Sequence, residues 1–127
     1  MTHKKDPAIR VLMMPRDTNA WGTIFGGIIL SYIDQAGAVL AVDCGCSHVV
    51  TVAMDKVEFH EPVHVGDLVS FFTELVRVGN TSITVKVVVK AQRRVAPEAR
   101  VLVTEAQVTY VNVNDAGRPV PIPELAD

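Results

Sequence analysis

The feature that most constrains the fold is a largely apolar stretch of 19 residues, from Ile24 to Val42. It has the length of a membrane span, but Asp34 and Gln35 lie near its centre and glycines interrupt it. A carboxylate at the centre of a membrane helix costs about 2.5–3.5 kcal/mol, which argues against insertion. The stretch instead predicts one long helix that is buried on most sides in a globular domain and ends before Gly45.

The rest of the chain is rich in residues that favour strands. Of its 23 valines, 20 lie at or after Val49, and turn residues divide this part into separate stretches. The predicted strands cover residues 9–14, 49–59, 68–78, 81–92 and 100–113. One helix and about five strands in this order predict an α+β domain, with an antiparallel sheet curled round the helix.

Composition and charge narrow the class of protein. The 127 residues carry a formal net charge of −2, and we expect no nucleic-acid partner because phosphate binding needs a basic face. Apolar residues make up 49% of the chain and the mean hydropathy is +0.28, which favours apolar surface buried between subunits. The length fits a single domain over residues 1–127, with loose ends at 1–7 and at the proline-containing 118–127.

Cys44, Cys46 and His48 form a Cys-x-Cys-x-His pattern that suggests a zinc site at first sight. Structural zinc sites combine two separated ligand pairs, and the sequence contains no second pair of cysteines. We therefore predict no metal. Two reduced, structural thiols and no visible secretory signal indicate a cytoplasmic protein without a membrane partner.

Two features of the helix carry the candidate chemistry. Asp34 is a carboxylate in apolar surroundings, which suits a general base or nucleophile; the alternative is a carboxylate that faces solvent or forms an ion pair. Gly26-Gly27 places bare backbone at the start of the helix, where first-turn N–H groups have no partner and could stabilise an oxyanion. Tight packing explains the two glycines equally well.

The segment 17–34, which reads DTNAWGTIFGGIILSYID, resembles the hotdog-fold acyl-CoA thioesterases and most of all their bacterial YciA-like branch. Three shorter segments resemble the same branch: FHEPVHVGD at 59–67, GNTS at 79–82 and GRPVP at 117–121. Together they extend the resemblance over roughly residues 8–123. The resemblance implies an antiparallel sheet of five to six strands wrapped round one central helix.

The same resemblance implies hydrolysis of an acyl-CoA thioester to a free acid and coenzyme A, with no cofactor beyond the coenzyme A of the substrate. Asn19 matches the residue that orients the thioester and water, and the Gly26 N–H matches the group that polarises the carbonyl. Asp34 matches the general base or nucleophile. Phe25 replaces the histidine of other branches, as it does in the YciA-like branch.

Further residues are assigned to substrate binding. Phe25 and Gly27 flank the oxyanion position, Thr81 and Ser82 follow a turn, and Arg93 and Arg118 are predicted to hold coenzyme A phosphates. The alternative for these arginines is a solvated strand face.

The distance between the two catalytic candidates on the helix bears on the number of chains in one site. Gly26 and Asp34 are eight residues apart, about 12 Å along a helix, so either only one acts on a carbonyl or the two come from different subunits. We expect a homodimer with shared sites, and the resemblance implies a trimer of such dimers.

The alternative function is a non-catalytic acyl-CoA-binding module. A hotdog dehydratase is disfavoured because the helix contains no histidine.

Overall fold

The computed structural model describes residues 6–123, which form one helix and five strands. The elements are β1 (Ile9–Leu12), a 3-10 turn (Pro15–Asp17), α1 (Gly26–Asp43), β2 (Val49–Phe59), β3 (Leu68–Val78), β4 (Ser82–Gln92) and β5 (Arg100–Asn112). Every predicted element is present and ends within two residues of its predicted bounds. The 3-10 turn, where the sequence predicts only a polar loop, begins at Pro15, whose fixed φ suits the first position of a helical turn.

The five strands form one antiparallel sheet in the order β1-β3-β4-β5-β2. The helix lies across one face of this sheet and contacts β2, β3, β4 and β5. The predicted α+β architecture is confirmed. Its strand count lies within the predicted range.

The core forms where the helix meets the middle of the sheet. Alternate residues of β4 are fully buried, as the period-two pattern of this strand predicts: Ile83, Val85, Val87 and Val89. The helix buries Ile29, Ile33 and Ala36 against them. Because burial of apolar surface contributes about 25 cal/mol per Å², the contact between helix and sheet stabilises the domain.

One edge of the sheet and one side of the helix stay uncovered in the single chain. The edge strand β2 exposes Val50, Val52 and Phe59, and α1 exposes Val39 and Val42. An 11-residue edge strand offers a row of unpaired backbone groups to another chain, whereas the opposite edge strand β1 has only four residues. The surface at β2 and α1 is therefore the place where a partner is expected.

The tail differs from its prediction as a loose end. The Val120 N–H donates to the Asn112 carbonyl at 2.9 Å, and the Ile122 N–H donates to the Asn80 carbonyl at 2.8 Å. The tail is thus fastened to β5 and to the β3–β4 turn as far as residue 123, because its prolines favour an extended path that leaves N–H groups free to pair. Residues 1–5 and 124–127, the outer parts of the predicted loose ends, lie outside the described residues. No helix within residues 6–123 is long and apolar enough to cross a membrane.

Candidate active site

The start of α1 is fixed by backbone hydrogen bonds from the loop that precedes it. The Ile24 N–H donates to the Val63 carbonyl and the Phe25 N–H to the Asp17 carbonyl, both at 2.8 Å. Phe25 is extended and its side chain does not cap the helix. Within residues 6–123 the N–H groups of Gly26 and Gly27 have no hydrogen-bond partner. They are donors at the positive end of the helix dipole.

A cavity of about 350 Å³ opens beside these donors. It is lined by Ile24, Gly26, Ile29, Phe59, His60, Glu61, Pro62 and Val63. The Phe59 ring would lie only 3.6 Å from a Cβ atom added at Gly26, so the aromatic side chain forms a wall next to the helix start. The predicted oxyanion donors therefore border a largely apolar space, which is the kind of surface that an acyl chain needs.

Asn19 organises the loop before the helix. Its side-chain oxygen accepts the Trp21 N–H at 2.8 Å and the Thr23 N–H at 3.2 Å, and its side-chain nitrogen donates to the Thr23 hydroxyl at 2.8 Å. Such side-chain to backbone bonds are typical of asparagine in turns. The predicted role of Asn19 toward thioester and water remains a prediction, and the structure adds that its amide is held rigidly.

Asp34 lies in the middle of α1 and is half-buried. Its carboxylate accepts a hydrogen bond of 2.7 Å from the hydroxyl of Thr51 on β2. Its main-chain carbonyl accepts a second bond, of 2.5 Å, from the hydroxyl of Tyr110 on β5. Neither partner was among the predicted site residues, because a contact between a helix and two strands has no local signal in the sequence.

Gly26 and Asp34 belong to the same continuous helix, which fixes their separation at about 12 Å. Gly26 lies beside Phe59 at one end of β2, and Asp34 lies beside Thr51 toward the other end. A single chain therefore provides the carboxylate and the helix-start donors at two different places.

A model of the thioesterase superfamily matches residues 22–98, which include both of these places. The acyl-CoA thioester hydrolase YciA of Salmonella typhimurium is 41% identical over 125 residues, or 96% of this chain and 93% of that protein. The chain belongs to the thioesterase superfamily.

Solved structures agree with this family. A hexameric hotdog-fold thioesterase of Campylobacter jejuni has a TM-score of 0.88 and 48% identity, with 93% of this chain and 90% of that chain covered. A hexameric thioesterase of Yersinia pestis has a TM-score of 0.89 and 39% identity, with 98% and 100% covered. The predicted hotdog fold is confirmed.

Thr81 and Ser82 of this thioesterase lie at the end of the sheet where Thr51 donates its hydrogen bond to Asp34. Ser82 pairs with Val111 of β5, next to the register position at which Tyr110 faces Thr51. The Gly79 N–H donates to the Ser82 carbonyl at 2.7 Å, which closes the β3–β4 turn. Both residues are half-buried, and their contact with substrate stays a prediction.

The two arginines assigned to the phosphates lie in different surroundings. Nη1 of Arg93 donates to the carboxylate of Asp67 at 2.5 Å, and this carboxylate also accepts the His64 N–H. The Asp67 side chain is 3% exposed and the Arg93 side chain 17%, so the pair is largely shielded from water. Arg118 is exposed, in a turn held by the side chain of Asn114. The geometry gives Arg93 a structural partner and presents Arg118 at the surface.

Two groups of side chains in residues 6–123 are of the types that can bind metals. Cys44 and Cys46 are buried and unbridged, and burial raises the pKa of both thiols. The side chains of Glu58, His60 and Glu105 also converge. His60 Nε2 lies 2.9 Å from Glu105 and Lys86 Nζ lies 3.5 Å from it, so this is a surface ion-pair cluster. The hydrogen bond with His60 lowers the pKa of Glu105.

Proposed function

We propose that this thioesterase hydrolyses acyl-CoA thioesters to a free acid and coenzyme A. The observation that carries the proposal is the carboxylate of Asp34, fixed by Thr51 in the middle of an apolar helix. The unpartnered N–H groups at Gly26, beside an apolar cavity, provide the complementary oxyanion donors. The acyl-CoA thioester hydrolase of Salmonella typhimurium and the thioesterases of known structure support it.

The reaction follows from these groups. Asp34 takes a proton from a water molecule whose oxygen forms a bond to the thioester carbonyl carbon, and the Gly26 N–H stabilises the resulting oxyanion. The intermediate collapses, the carbon–sulfur bond breaks, and the coenzyme A sulfur receives the proton. In the other route the Asp34 carboxylate attacks the carbonyl itself, the carbon–sulfur bond breaks and coenzyme A leaves as its thiolate, which is then protonated. Water cleaves the resulting anhydride to the free acid and regenerates the Asp34 carboxylate. Neither route needs a cofactor beyond the coenzyme A of the substrate.

We place each reaction centre between two chains. We assign the exposed β2 edge, together with the exposed Val39 and Val42 of α1, to the contact with a second copy. If the two-fold axis that relates two copies runs through this surface and perpendicular to α1, the two helices are antiparallel, so that each Asp34 approaches the partner's helix start. The thioesterases of Campylobacter jejuni and Yersinia pestis are hexameric, which supports three such dimers as the full assembly.

The proposal also covers the residues that contact coenzyme A and the compartment in which the enzyme acts. The exposed Arg118 is assigned to the coenzyme A phosphates, with Thr81 and Ser82 at the same end of the sheet as Asp34. Free, buried cysteines fit a reducing compartment, and we place the enzyme in the cytoplasm.

In the decisive experiment, the purified protein is assayed with a series of acyl-CoA thioesters whose acyl groups range from acetyl to palmitoyl. Free thiol is followed with a chromogenic disulfide, and binding of the same thioesters is followed by calorimetry. Catalytic release of thiol with formation of the free acid supports hydrolysis. Saturable binding with no turnover for any chain length would instead establish the non-catalytic acyl-CoA module.

A further inference from the structure

A single tyrosine connects the inner strand β5 to the residue proposed as the catalytic carboxylate. The Tyr110 side chain is buried, with only 1% of its surface exposed, and its hydroxyl donates to the main-chain carbonyl of Asp34 at 2.5 Å. The carbonyl belongs to the middle of α1, so the bond attaches the helix to the sheet at this one residue. A buried hydroxyl needs such a partner, because leaving it unpaired would be costly.

Gly37 makes the approach of the tyrosine possible. It lies one turn after Asp34 on the same helix and is buried. A Cβ atom at this position would come within 2.2 Å of the Tyr110 hydroxyl oxygen and 3.0 Å of its ring. Any side chain at residue 37 would therefore push the phenol away from the Asp34 carbonyl. A glycine in the middle of a helix lowers stability relative to alanine, and this contact supplies a reason for it.

Tyr110 and the threonine that binds the Asp34 carboxylate are neighbours across the sheet. Thr51 of β2 and Tyr110 of β5 are directly opposite in the strand register, so both side chains point to the helix. Thr51 holds the carboxylate at 2.7 Å while Tyr110 holds the main chain of the same residue. This cross-strand pair thus holds both the carboxylate and the main-chain carbonyl of Asp34.

We propose that Tyr110 is a positioning residue for the reaction, which sets the location of the Asp34 carboxylate by holding its main chain in the space that Gly37 leaves free. The proposal rests on the hydrolase function proposed above. Burial, followed by the nearby charge of Asp34, raises the pKa of Tyr110 above its ordinary value of 10, so the hydroxyl remains a donor at neutral pH. A displacement of about 1 Å at a reacting group can cost as much as 10²-fold in rate.

The test compares Tyr110→Phe with Tyr32→Phe. Each variant loses one hydroxyl, but the Tyr32 ring packs against Phe71, at 5.6 Å between centroids, away from Asp34. We expect Tyr110→Phe to lower kcat about tenfold with KM within about twofold, and Tyr32→Phe to retain the parent values of both. Both variants are first checked for an unchanged oligomer by size-exclusion chromatography.

Combination with Asp34→Asn separates positioning from a general loss of structure. If Tyr110 acts through the carboxylate, Tyr110→Phe causes no further loss in the Asp34→Asn background. An equal loss in both backgrounds, or an unchanged kcat in Tyr110→Phe while the parent is active, would overturn the positioning role and leave the hydrolase function standing. A parent that hydrolyses no thioester would refute the hydrolase function and the positioning role together.

A second pair of variants keeps the proposal testable should Tyr110→Phe fold poorly. Gly37→Ala places a methyl group against the Tyr110 hydroxyl, so we expect a lower melting temperature and a kcat reduced about tenfold. Adding Tyr110→Phe removes the closest clashing atom. The double variant should regain stability but not activity. Full activity in Gly37→Ala would overturn the proposal.

Discussion

The hydroxyl of Thr51 on strand β2 donates a 2.7 Å hydrogen bond to the carboxylate of Asp34 on the helix, seventeen residues earlier in the chain. Because β2 is an edge strand and Asp34 is only half-buried, this bond holds the carboxylate at the uncovered edge of the sheet, where we propose that a second copy packs. The carboxylate keeps an oxygen for a water molecule on its other side. In the shared site proposed above, this position would let the carboxylate act on a substrate bound between two chains.

Replacement of Asp34 by asparagine tests its chemical role. The amide introduced by Asp34→Asn would keep an oxygen for the Thr51 hydroxyl but could not take a proton, so the fold should persist while turnover falls by at least about 10². Steady-state kinetics with the best acyl-CoA measure this, and calorimetry checks that binding is retained. Asp43→Asn, which changes an exposed carboxylate at the end of the same helix, is the matched control and should keep the parent rate.

Turnover of the Asp34→Asn protein within a few-fold of the parent would remove this carboxylate from the mechanism. Loss of the folded oligomer would make Asp34 a structural residue instead.

The sequence was sufficient to predict the elements but not their mutual register. The alternation of Ile83, Val85, Val87 and Val89 predicts strand β4 and its buried face, since periodicity is a local signal. The bond from Thr51 to Asp34 depends on how β2 pairs with β5, and this pairing shifts just after Thr51. The shift changes which residues of β2 and β5 face each other, so no local pattern could reveal the contact.

The arginines show that the sequence also does not reveal which charged residues form ion pairs. Arg93 and Arg94 are adjacent and equally basic in the sequence, yet Arg93 binds the buried Asp67 while Arg94 is exposed. The difference depends on the β4 end and the β2–β3 connection being brought together, which is a property of the fold.

Removal of Arg93 and removal of Arg118 should have different consequences. Arg93→Ala leaves the buried Asp67 carboxylate without its cation, and we expect a loss of about 3 kcal/mol in the free energy of unfolding, measured by urea denaturation. Arg118→Ala should leave stability unchanged and raise KM for acyl-CoA roughly tenfold, because the variant lacks the guanidinium that we assign to the phosphates.

An acyl-pantetheine substrate, which lacks the nucleotide and its phosphates, is the control for this pair. The Arg118→Ala effect should disappear with it. A stable Arg93→Ala protein with a raised KM for acyl-CoA alone would show instead that Arg93 contacts the phosphates.

Phe59 is expected to limit the length of the acyl chain. Its ring forms a wall of the roughly 350 Å³ cavity next to Gly26, so Phe59→Ala should enlarge the space into which the acyl group extends. We expect the ratio of kcat/KM for lauroyl-CoA to that for butyryl-CoA to rise roughly tenfold. Phe72→Ala, on the opposite face of the sheet, is the control and should leave the ratio unchanged. An unchanged ratio in Phe59→Ala would place the acyl chain elsewhere.

The shared site is tested with two variants that are each inactive. The spacing along one helix separates Gly26 from Asp34 by about 12 Å, so we expect Asn19 and Gly26 of one chain to act with Asp34 of its partner. An Asn19→Ala chain paired with an Asp34→Ala chain then forms one site with both changes and one intact site. Random mixing makes half of the dimers hybrid, each with one of two sites intact, so activity should return to about a quarter of the parent value.

The two variants are unfolded and refolded together, and native mass spectrometry confirms the hybrid before thiol release is assayed. Each variant refolded alone is the control and should stay near zero. If hybrids form and no activity returns, every site carries one change and the reaction centre lies within a single chain. Recovery can arise only if the carboxylate reaches across the interface, because neither chain alone holds both an intact Asn19 and an intact Asp34.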